Sequence, residues 1–228
     1  MFPIGDDNPT RTQPVLTIAL VATCILVFAY QFSLSDNEAA AFIFDWGFIP
    51  AAVFGNGVEI EPGALPAWSK IVTSMFLHGD LMHIIGNMLF LWIFGNNIED
   101  TFGRVKFAVF YLLCGVAAAF TQGFTSTASG VPMIGASGAI SGVLGAYILM
   151  FPHARVRVLI MFGIITMVYL RAYVVLGLWF GLQLLNAALT PVSEEGGVAF
   201  WAHVGGFVAG AALMPLFRPA RRRVGPWG

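Results

Sequence analysis

The sequence is poor in charged residues. Asp, Glu, Lys and Arg make up only 10% of its 228 residues, whereas 58% are hydrophobic and the mean hydropathy is +0.81. A water-soluble domain of this size does not need so much apolar surface. The composition therefore excludes an ordinary soluble protein and indicates a polytopic membrane protein. The formal net charge is −1 and no basic face is visible, so we expect no nucleic-acid partner.

Cysteine is scarce as well. The two cysteines, Cys24 and Cys114, both fall in long apolar runs, where we expect small packing residues and not a disulfide. We expect no metal and no cofactor. The chain also lacks a visible internal repeat, which disfavours a transporter built from inverted repeats.

Long hydrophobic runs dominate what is present. A bilayer core is crossed by roughly 20 apolar residues in a helix. Six runs fit this length, at about 15–32, 81–98, 107–124, 131–151, 172–190 and 198–217. They predict an all-α membrane protein, built as a bundle of six transmembrane helices.

The runs also divide the chain. We expect a loosely ordered cytoplasmic N-terminal segment at 1–13 and a helical domain at 14–217, which includes a long outer loop at 33–79. A basic cytoplasmic tail at 218–228, also loosely ordered beyond its first residue, completes the chain. The hydrophobic run at 158–169 precedes the fifth helix and is expected to be an interfacial or re-entrant segment on the cytoplasmic side.

Basic residues set the expected orientation, because they concentrate in cytoplasmic loops. With the N-terminus in the cytoplasm, the basic residues on the inner side are Arg11, Arg104, Lys106, Arg155, Arg157, Arg171, Arg218, Arg221, Arg222 and Arg223. The acidic residues on the outer side are Asp36, Glu38, Asp45, Glu59, Glu61, Glu194 and Glu195. We therefore predict a multi-pass protein of the plasma (inner) membrane with both termini in the cytoplasm.

Four polar residues fall at a similar depth near the outer ends of the second, fourth and sixth predicted helices. His83 and Asn87 lie one helical turn apart, Ser137 lies in "GASGAISG", and His203 follows "FWA". An ionisable group inside a membrane is costly and is a functional hypothesis by default. The shared depth predicts that these four side chains meet at a site that opens to the outer face.

A serine and a histidine at one depth have a direct chemical interpretation. A serine hydroxyl becomes a nucleophile when a base removes its proton, so Ser137 is the predicted nucleophile and His203 the predicted base. The side chains of His83 and Asn87, with backbone N–H groups near Ser137, are predicted to stabilise an oxyanion. Asp80 sits at the mouth of the second helix, so we expect a Ser–His dyad without an acid.

The glycines around these residues have two interpretations. Gly135 and Gly138 leave room beside Ser137 for a peptide carbonyl, and we assign them to the substrate-binding site. Small residues four positions apart are also explained by helix packing, without any chemistry. Such packing would itself bring the fourth and sixth helices together. The glycines assigned to helix packing are Gly142, Gly206 and Gly210.

The chain resembles the rhomboid family of intramembrane serine proteases in its six-helix prokaryotic form. The resemblance rests on "FLHGDLMHIIGNMLFLWIFGNNIED" (76–100), "GASGAISG" (135–142) and "WAHVGGFVAG" (201–210). These motifs occur in the family's order, one on each of the second, fourth and sixth helices. The similarity extends over about 14–217 and implies a six-transmembrane-helix rhomboid-like bundle.

The resemblance implies the same roles for the polar residues. Ser137 matches the nucleophile, His203 the general base, and His83 with Asn87 the oxyanion-stabilising pair. It further implies that single-span or multi-span membrane proteins are the substrates and that they are cleaved in the lipid bilayer. Because a peptide bond within a helix is shielded, we expect the substrate to unwind locally. Because the candidate catalytic residues all lie in one chain, we expect that no obligate oligomer is required.

Two positions depart from the family pattern. Lys70 stands where family members carry an arginine in the first loop. A lysine cannot donate the forked set of hydrogen bonds to backbone carbonyls that a guanidinium can. We therefore expect this loop to be held less rigidly. Ser141 stands where some members place a tyrosine under the base, so another group must orient His203. We expect Ser141 to pack, or to bond back to its own helix.

Two outer features are assigned to the path of the substrate. The aromatic-rich loop at 33–79 either rests on lipid headgroups or guides a substrate, and the two interpretations are compatible. The fifth helix is the hypothesised gate, because Trp179 and Phe180 lie there beside Gly177 and Gly181.

Two other functions are weighed against proteolysis. A catalytically inactive rhomboid-like protein would bind or escort membrane clients, although such relatives usually lack the serine or the histidine. A channel or transporter would use the same polar layer for transport.

Overall fold

The computed structural model describes residues 2–55, 65–162, 164–190 and 197–218. In chain order, its elements are β1 (Phe2–Asp6), α1 (Val15–Ser33), α2 (Asp36–Trp46), α3 (Pro50–Phe54), α4 (Lys70–Thr73), a 3₁₀ turn (Ser74–Phe76), α5 (Leu81–Phe90), a π-helical turn (Leu91–Gly95), α6 (Asn96–Phe102), α7 (Arg104–Thr125), α8 (Ser137–Met150), β2 (Arg155–Phe162), β3 (Ile164–Arg171), α9 (Ala172–Leu189) and α10 (Phe200–Phe217). The following residues used for the expected orientation lie outside the described ranges: Glu59, Glu61, Glu194, Glu195, Arg221, Arg222 and Arg223.

The predicted all-α membrane bundle is confirmed. Among the described residues, five helices are long and apolar enough to cross a membrane: Val15–Ser33, Leu81–Phe102, Arg104–Thr125, Ala172–Leu189 and Phe200–Phe217. The second of these is continuous from α5 through the π-helical turn to α6. The helix α8, which corresponds to the predicted fourth helix, is shorter. It has 14 residues, and its residues from Gly138 to Tyr147 are all buried. A central helix surrounded by other helices does not have to match the thickness of the lipid.

The prediction of a fourth helix at 131–151 was too long at its N-terminal end. Residues 131–136 form irregular backbone, and α8 begins only at Ser137. Two reciprocal backbone bonds join Met133 to Phe48, at 2.7 and 3.0 Å, and the N–H of Gly135 donates to the carbonyl of Ser74. Non-helical backbone is tolerated at membrane depth where protein partners satisfy it in this way.

A small antiparallel sheet corrects two expectations. The run at 158–169, expected as an interfacial or re-entrant segment, belongs to the hairpin of β2 and β3, in which Arg155 pairs with Arg171. The segment 1–13, expected to be loosely ordered, contains β1, which pairs with β2 to give the order β1-β2-β3. The inner face of the sheet carries Val156 and Val158, which are fully buried in the main core.

The start of α1 is fixed by two carboxylates at the end of the second span. Glu99 is 2% exposed and accepts hydrogen bonds from the backbone N–H of Leu16 at 2.9 Å and of Thr17 at 2.7 Å, and from the Thr17 hydroxyl at 2.8 Å. Asp100 accepts from the N–H groups of Arg11 and Thr12. Free N–H groups and the helix dipole both favour an anion at a helix N-terminus, so these bonds hold α1 against α6.

Close packing of α8 on α10 brings the N-terminal ends of these two helices together. A Cβ added at Gly206 would collide with the carbonyl oxygen of Gly138, and one at Gly210 with the carbonyl oxygen of Gly142. One added at Gly145 would collide with the α10 backbone. The two backbones therefore approach to a distance that only glycine permits, as is typical of small-residue helix interfaces in membranes.

The outer loop is tied to the bundle by side-chain to backbone bonds. Lys70 is a buried residue, 7% exposed. Its ammonium donates to the carbonyl of Phe44 at 3.0 Å, and the Thr73 hydroxyl donates to that of Trp46 at 2.7 Å. Both carbonyls lie at the end of α2. Among the described residues, the Lys70 ammonium thus contacts α2 at a single backbone carbonyl, whereas an arginine can donate several hydrogen bonds from its forked guanidinium.

Candidate active site

Ser137 and His203 are in hydrogen-bond contact. Ser137 is the first residue of α8, and His203 lies one turn inside α10. The Oγ of Ser137 is 2.8 Å from the Nε2 of His203. The glycine contacts between α8 and α10 make this approach possible, since they bring the two helix ends close together.

The second ring nitrogen of His203 contacts a residue that the sequence analysis did not single out. Its Nδ1 lies 2.8 Å from the Oε1 of Gln183, on α9. An amide oxygen accepts hydrogen bonds only, so this contact requires the hydrogen of the neutral ring on Nδ1 and leaves Nε2 to accept from the Ser137 hydroxyl. We expected a group other than Ser141 to orient His203, and Gln183 is the candidate for that group.

Ser141 lies one turn below Ser137. Its hydroxyl donates to the carbonyl of Ser137 at 2.6 Å, which is one of the two arrangements expected for it. The ring of Trp179 lies 6.0 Å from the ring of His203, measured between centroids. An aromatic from α9 therefore packs beside the imidazole.

His83 lies at the start of α5, against the loop that precedes Ser137. Its backbone N–H donates to the carboxylate of Asp80 at 2.8 Å, a helix N-cap, and Asp80 is thereby engaged with α5. Gly135 has φ +121°, and a Cβ there would lie 2.7 Å from the Nε2 of His83. A side chain at 135 would be strained and would also displace the imidazole.

Asn87 lies one turn below His83 on the same face of α5. Its side chain is 7% exposed, and its Nδ2 has no hydrogen-bond partner among the described residues. An unpaired buried donor is costly and needs an explanation. A substrate oxygen that accepts from this amide would provide one.

These side chains line one cavity of about 700 Å³. It lies between α5, the irregular segment before α8, α8 itself, α9 and α10. The cavity is lined on one side by Trp179 and Phe90, and its polar lining residues are Asp80, His83, Asn87, Ser137, Ser141, Gln183 and His203. The four polar residues predicted to meet therefore do line one space, which is large enough for several residues of an extended peptide.

The two glycines predicted for the substrate-binding site, Gly135 and Gly138, are not among the residues that line this cavity. A Cβ at Gly138 would lie 2.6 Å from the Cβ of Ala118 and close to Ala202. Its missing side chain therefore serves the packing of α8 between α7 and α10, as do those of Gly142, Gly206 and Gly210. Within the described ranges, no group of three His, Cys, Asp or Glu side chains could hold a metal ion.

His78 is a buried histidine outside the cavity. It is 1% exposed, and neither ring nitrogen has a partner within the described part of the chain. Its backbone exchanges two hydrogen bonds with the Gln31 side chain, each of 3.2 Å. Burial, and to a smaller extent the nearby His83, lowers the pKa of His78 to about 4, so its ring is neutral at physiological pH.

Comparison with known proteins identifies relatives of this arrangement. The model of the Rhomboid domain matches residues 66–220. "Presenilin-associated rhomboid-like protein A, mitochondrial" of Danio rerio is 36% identical over 103 residues, which cover 44% of this chain and 27% of the relative. "Rhomboid protein 1, mitochondrial" of Saccharomyces cerevisiae is 35% identical over 91 residues, 38% of this chain and 26% of the relative. "Rhomboid protease GluP" of Bacillus subtilis is 31% identical over 146 residues, 64% of this chain and 26% of the relative. The matched part thus spans about a quarter of the length of these relatives.

Proposed function

Because the chain belongs to the rhomboid family, we propose that it is an intramembrane serine endopeptidase that hydrolyses a peptide bond in or near the transmembrane segment of membrane protein substrates. Ser137 is the nucleophile and His203 the general base. The observation that carries the proposal is the 2.8 Å contact between the Ser137 hydroxyl and the His203 imidazole, at the wall of a cavity of about 700 Å³.

The acylation step follows from this contact. The Ser137 oxygen attacks the substrate carbonyl carbon and its proton passes to Nε2 of His203. Negative charge develops on the former carbonyl oxygen, where the unpaired amide of Asn87 and the ring of His83 supply donors. The intermediate collapses as the carbon–nitrogen bond breaks, and the imidazolium gives its proton to the departing amine. An acyl ester on Ser137 remains.

Deacylation uses the same groups in reverse. A water molecule attacks the ester carbonyl while Nε2 of His203 accepts its proton. The intermediate then expels the Ser137 oxygen, which regains its proton from the imidazolium. The polar lining of the cavity from Asp80 to Gln183 offers water a path to this point, which a helix packed only in lipid would not.

Membrane proteins and the bilayer are the partners that this function requires. Single-span and multi-span substrates both suit a cavity between helices, and one chain supplies every proposed catalytic side chain, so no obligate oligomer is needed. The basic residues favour cytoplasmic termini, which would open the site to the outer face. The mitochondrial location in the names of two relatives belongs to those proteins.

Reconstitution tests the proposal. Proteoliposomes that contain the chain and a model single-span substrate should release two fragments, and Ser137→Ala or His203→Ala should reduce cleavage to background, a loss of at least about 10³-fold. Ser33→Ala and His153→Ala, which change the same residue types away from the cavity, should retain wild-type rates.

Two results would contradict the proposal. Cleavage that survives Ser137→Ala would exclude the serine mechanism. Absence of cleavage, together with no labelling of Ser137 by a fluorophosphonate, would instead favour a protein that binds or escorts membrane clients.

A further inference from the structure

The contact between Gln183 and His203 points to a further role at the same site. We propose that Gln183 is a positioning residue, which holds His203 in the tautomer and orientation needed by a general base and makes that orientation depend on the position of helix α9. The inference rests on the proposed serine mechanism. It concerns the third group that orients the base, which is an acid in many serine hydrolases.

The geometry fixes the direction of the hydrogen bond. His203 Nδ1 and Gln183 Oε1 are 2.8 Å apart, and His203 Nε2 and Ser137 Oγ are also 2.8 Å apart. If the hydrogen were on Nε2, that nitrogen could not accept the serine proton, and Nδ1 would face an oxygen that can only accept. With its oxygen facing Nδ1, the neutral amide supports the productive tautomer without placing a second charge inside the membrane, where charge is costly.

An apolar helix does not otherwise need this glutamine. The helix α9 is otherwise almost entirely apolar through its middle, and Gln183 is half-buried and lines the cavity. Its neighbours Leu182, Leu184 and Leu185 are exposed on the outside of the bundle. A polar side chain at membrane depth that turns inward to a partner is the expected pattern for a functional residue.

The position of α9 couples the base to substrate entry. Three of the four buried residues of α9, Ala172, Val175 and Leu176, lie in its first five positions. Beyond them, its contacts include the stacking of Phe180 on Phe207, at 4.3 Å between ring centroids, and the bond of Gln183 to His203. Trp179 packs against Phe90, His203 and Phe207, and Ala187 is buried near the end of the helix. A sideways displacement of this half of α9, as a gate would require, would withdraw the acceptor from Nδ1. The base is therefore fully oriented only when α9 has closed again.

Two substitutions separate the hydrogen bond from the packing. Gln183→Met keeps the length and removes the acceptor, and it should lower kcat by about 10- to 100-fold while KM changes by less than about twofold. Gln183→Glu keeps an acceptor and should restore kcat to within a few fold of wild type. Its carboxylate would favour the imidazolium, so the acid limb of the pH profile should move to higher pH. Asn186→Leu, which removes an amide one turn away, is the matched control and should behave as wild type.

The outcomes distinguish this inference from the proposed function. If wild type neither cleaves substrate nor reacts at Ser137 with a fluorophosphonate, the serine mechanism fails. If wild type reacts and Gln183→Met reacts at the same rate, the mechanism stands and Gln183 has no positioning role. Nitrogen-15 NMR of histidine in the unmutated protein gives an answer even if a variant misfolds. The expected signature of His203 is the tautomer with hydrogen on Nδ1, and the other tautomer would overturn the inference.

Discussion

At the scale of single residues, His78 contributes a specific pH dependence to stability. The ring is fully buried without a hydrogen-bond partner among the described residues, and burial lowers its pKa from 6.5 to about 4. As the pH falls below about 6.5, the unfolded chain takes up a proton at this residue, whereas the folded chain does not until about pH 4. The free energy of unfolding should therefore fall across this interval, by up to about 3 kcal/mol from His78 alone.

Unfolding in mixed micelles at pH 7.5 and pH 4.5 measures this effect. His78→Phe should reduce the loss between the two pH values by the contribution of His78, up to about 3 kcal/mol, because the phenyl ring has no proton to gain. His153→Phe, which changes an exposed histidine, should keep the wild-type loss. Equal pH dependence in wild type and His78→Phe would show that protonation of this ring is not linked to folding.

Individual residues also show what could be predicted from the sequence at the site. Ser137, His203, His83 and Asn87 could be identified because a polar side chain in an apolar run is conspicuous, and helical geometry gives its depth. Gln183 is equally polar, but it lies in the helix assigned to the gate. Its partner depends on how α9 rotates against α10, which hydropathy does not determine.

At the scale of elements, the contact between α8 and α10 sets the separation of the two proposed catalytic side chains. A methyl group at Gly206 would collide with the carbonyl oxygen of Gly138, one residue after Ser137. Gly206→Ala should push the helices apart, lowering the free energy of unfolding by about 1–3 kcal/mol. It should also lower kcat, because Ser137 and His203 would move apart together with the two helices that carry them.

The same substitution in α9 provides a matched control. A Cβ at Gly181 meets no atom within 4 Å, so Gly181→Ala should leave the unfolding free energy at or slightly above wild type. Unfolding titrations and cleavage assays on both variants make the comparison. If Gly206→Ala is as stable and active as Gly181→Ala, the close approach of α8 and α10 does not position the site.

The short α8 illustrates the limit of hydropathy for predicting elements. The run at 131–151 is apolar throughout, and length alone predicted one span. In the structure, the first six residues of this run, 131–136, form irregular backbone, which makes hydrogen bonds to Phe48 and Ser74. Those partners lie more than 50 residues earlier in the chain, so no local pattern identifies them. Pro132 and Gly135 were the available signals, since both disfavour the interior of a helix.

At the scale of the whole molecule, the three-stranded sheet joins the N-terminal segment to the connection between α8 and α9. The strand β1 comes from the N-terminus, while the hairpin of β2 and β3 joins α8 to α9. Asp6, at the end of β1, accepts a hydrogen bond from the buried hydroxyl of Tyr147 in α8, and its pKa is raised mainly by burial. The N-terminal segment is thus part of the folded core.

This arrangement was beyond the reach of the sequence. A strand of five residues that contains Pro3 and Gly5 has no strong local preference for extended structure. Its pairing with β2 joins residues about 150 positions apart, and the hairpin itself resembles an apolar membrane segment in composition. The bundle could be predicted because each helix shows its own periodicity or length, whereas the sheet exists only through tertiary contacts.

Removal of β1 tests whether the N-terminal strand stabilises the bundle. Deletion of residues 2–6 uncovers one edge of β2, removes the acceptor from the Tyr147 hydroxyl and exposes Val156 and Val158, so the free energy of unfolding should fall by about 2–4 kcal/mol. Hydrogen exchange at residues 155–160 should accelerate, while fluorophosphonate labelling of Ser137 should continue, because the cavity does not include the sheet. Tyr147→Phe, which keeps the strand and removes only the hydroxyl, should cost less and leave exchange in β2 slow. Unchanged stability and exchange after the deletion would mean that β1 is not part of the cooperative fold.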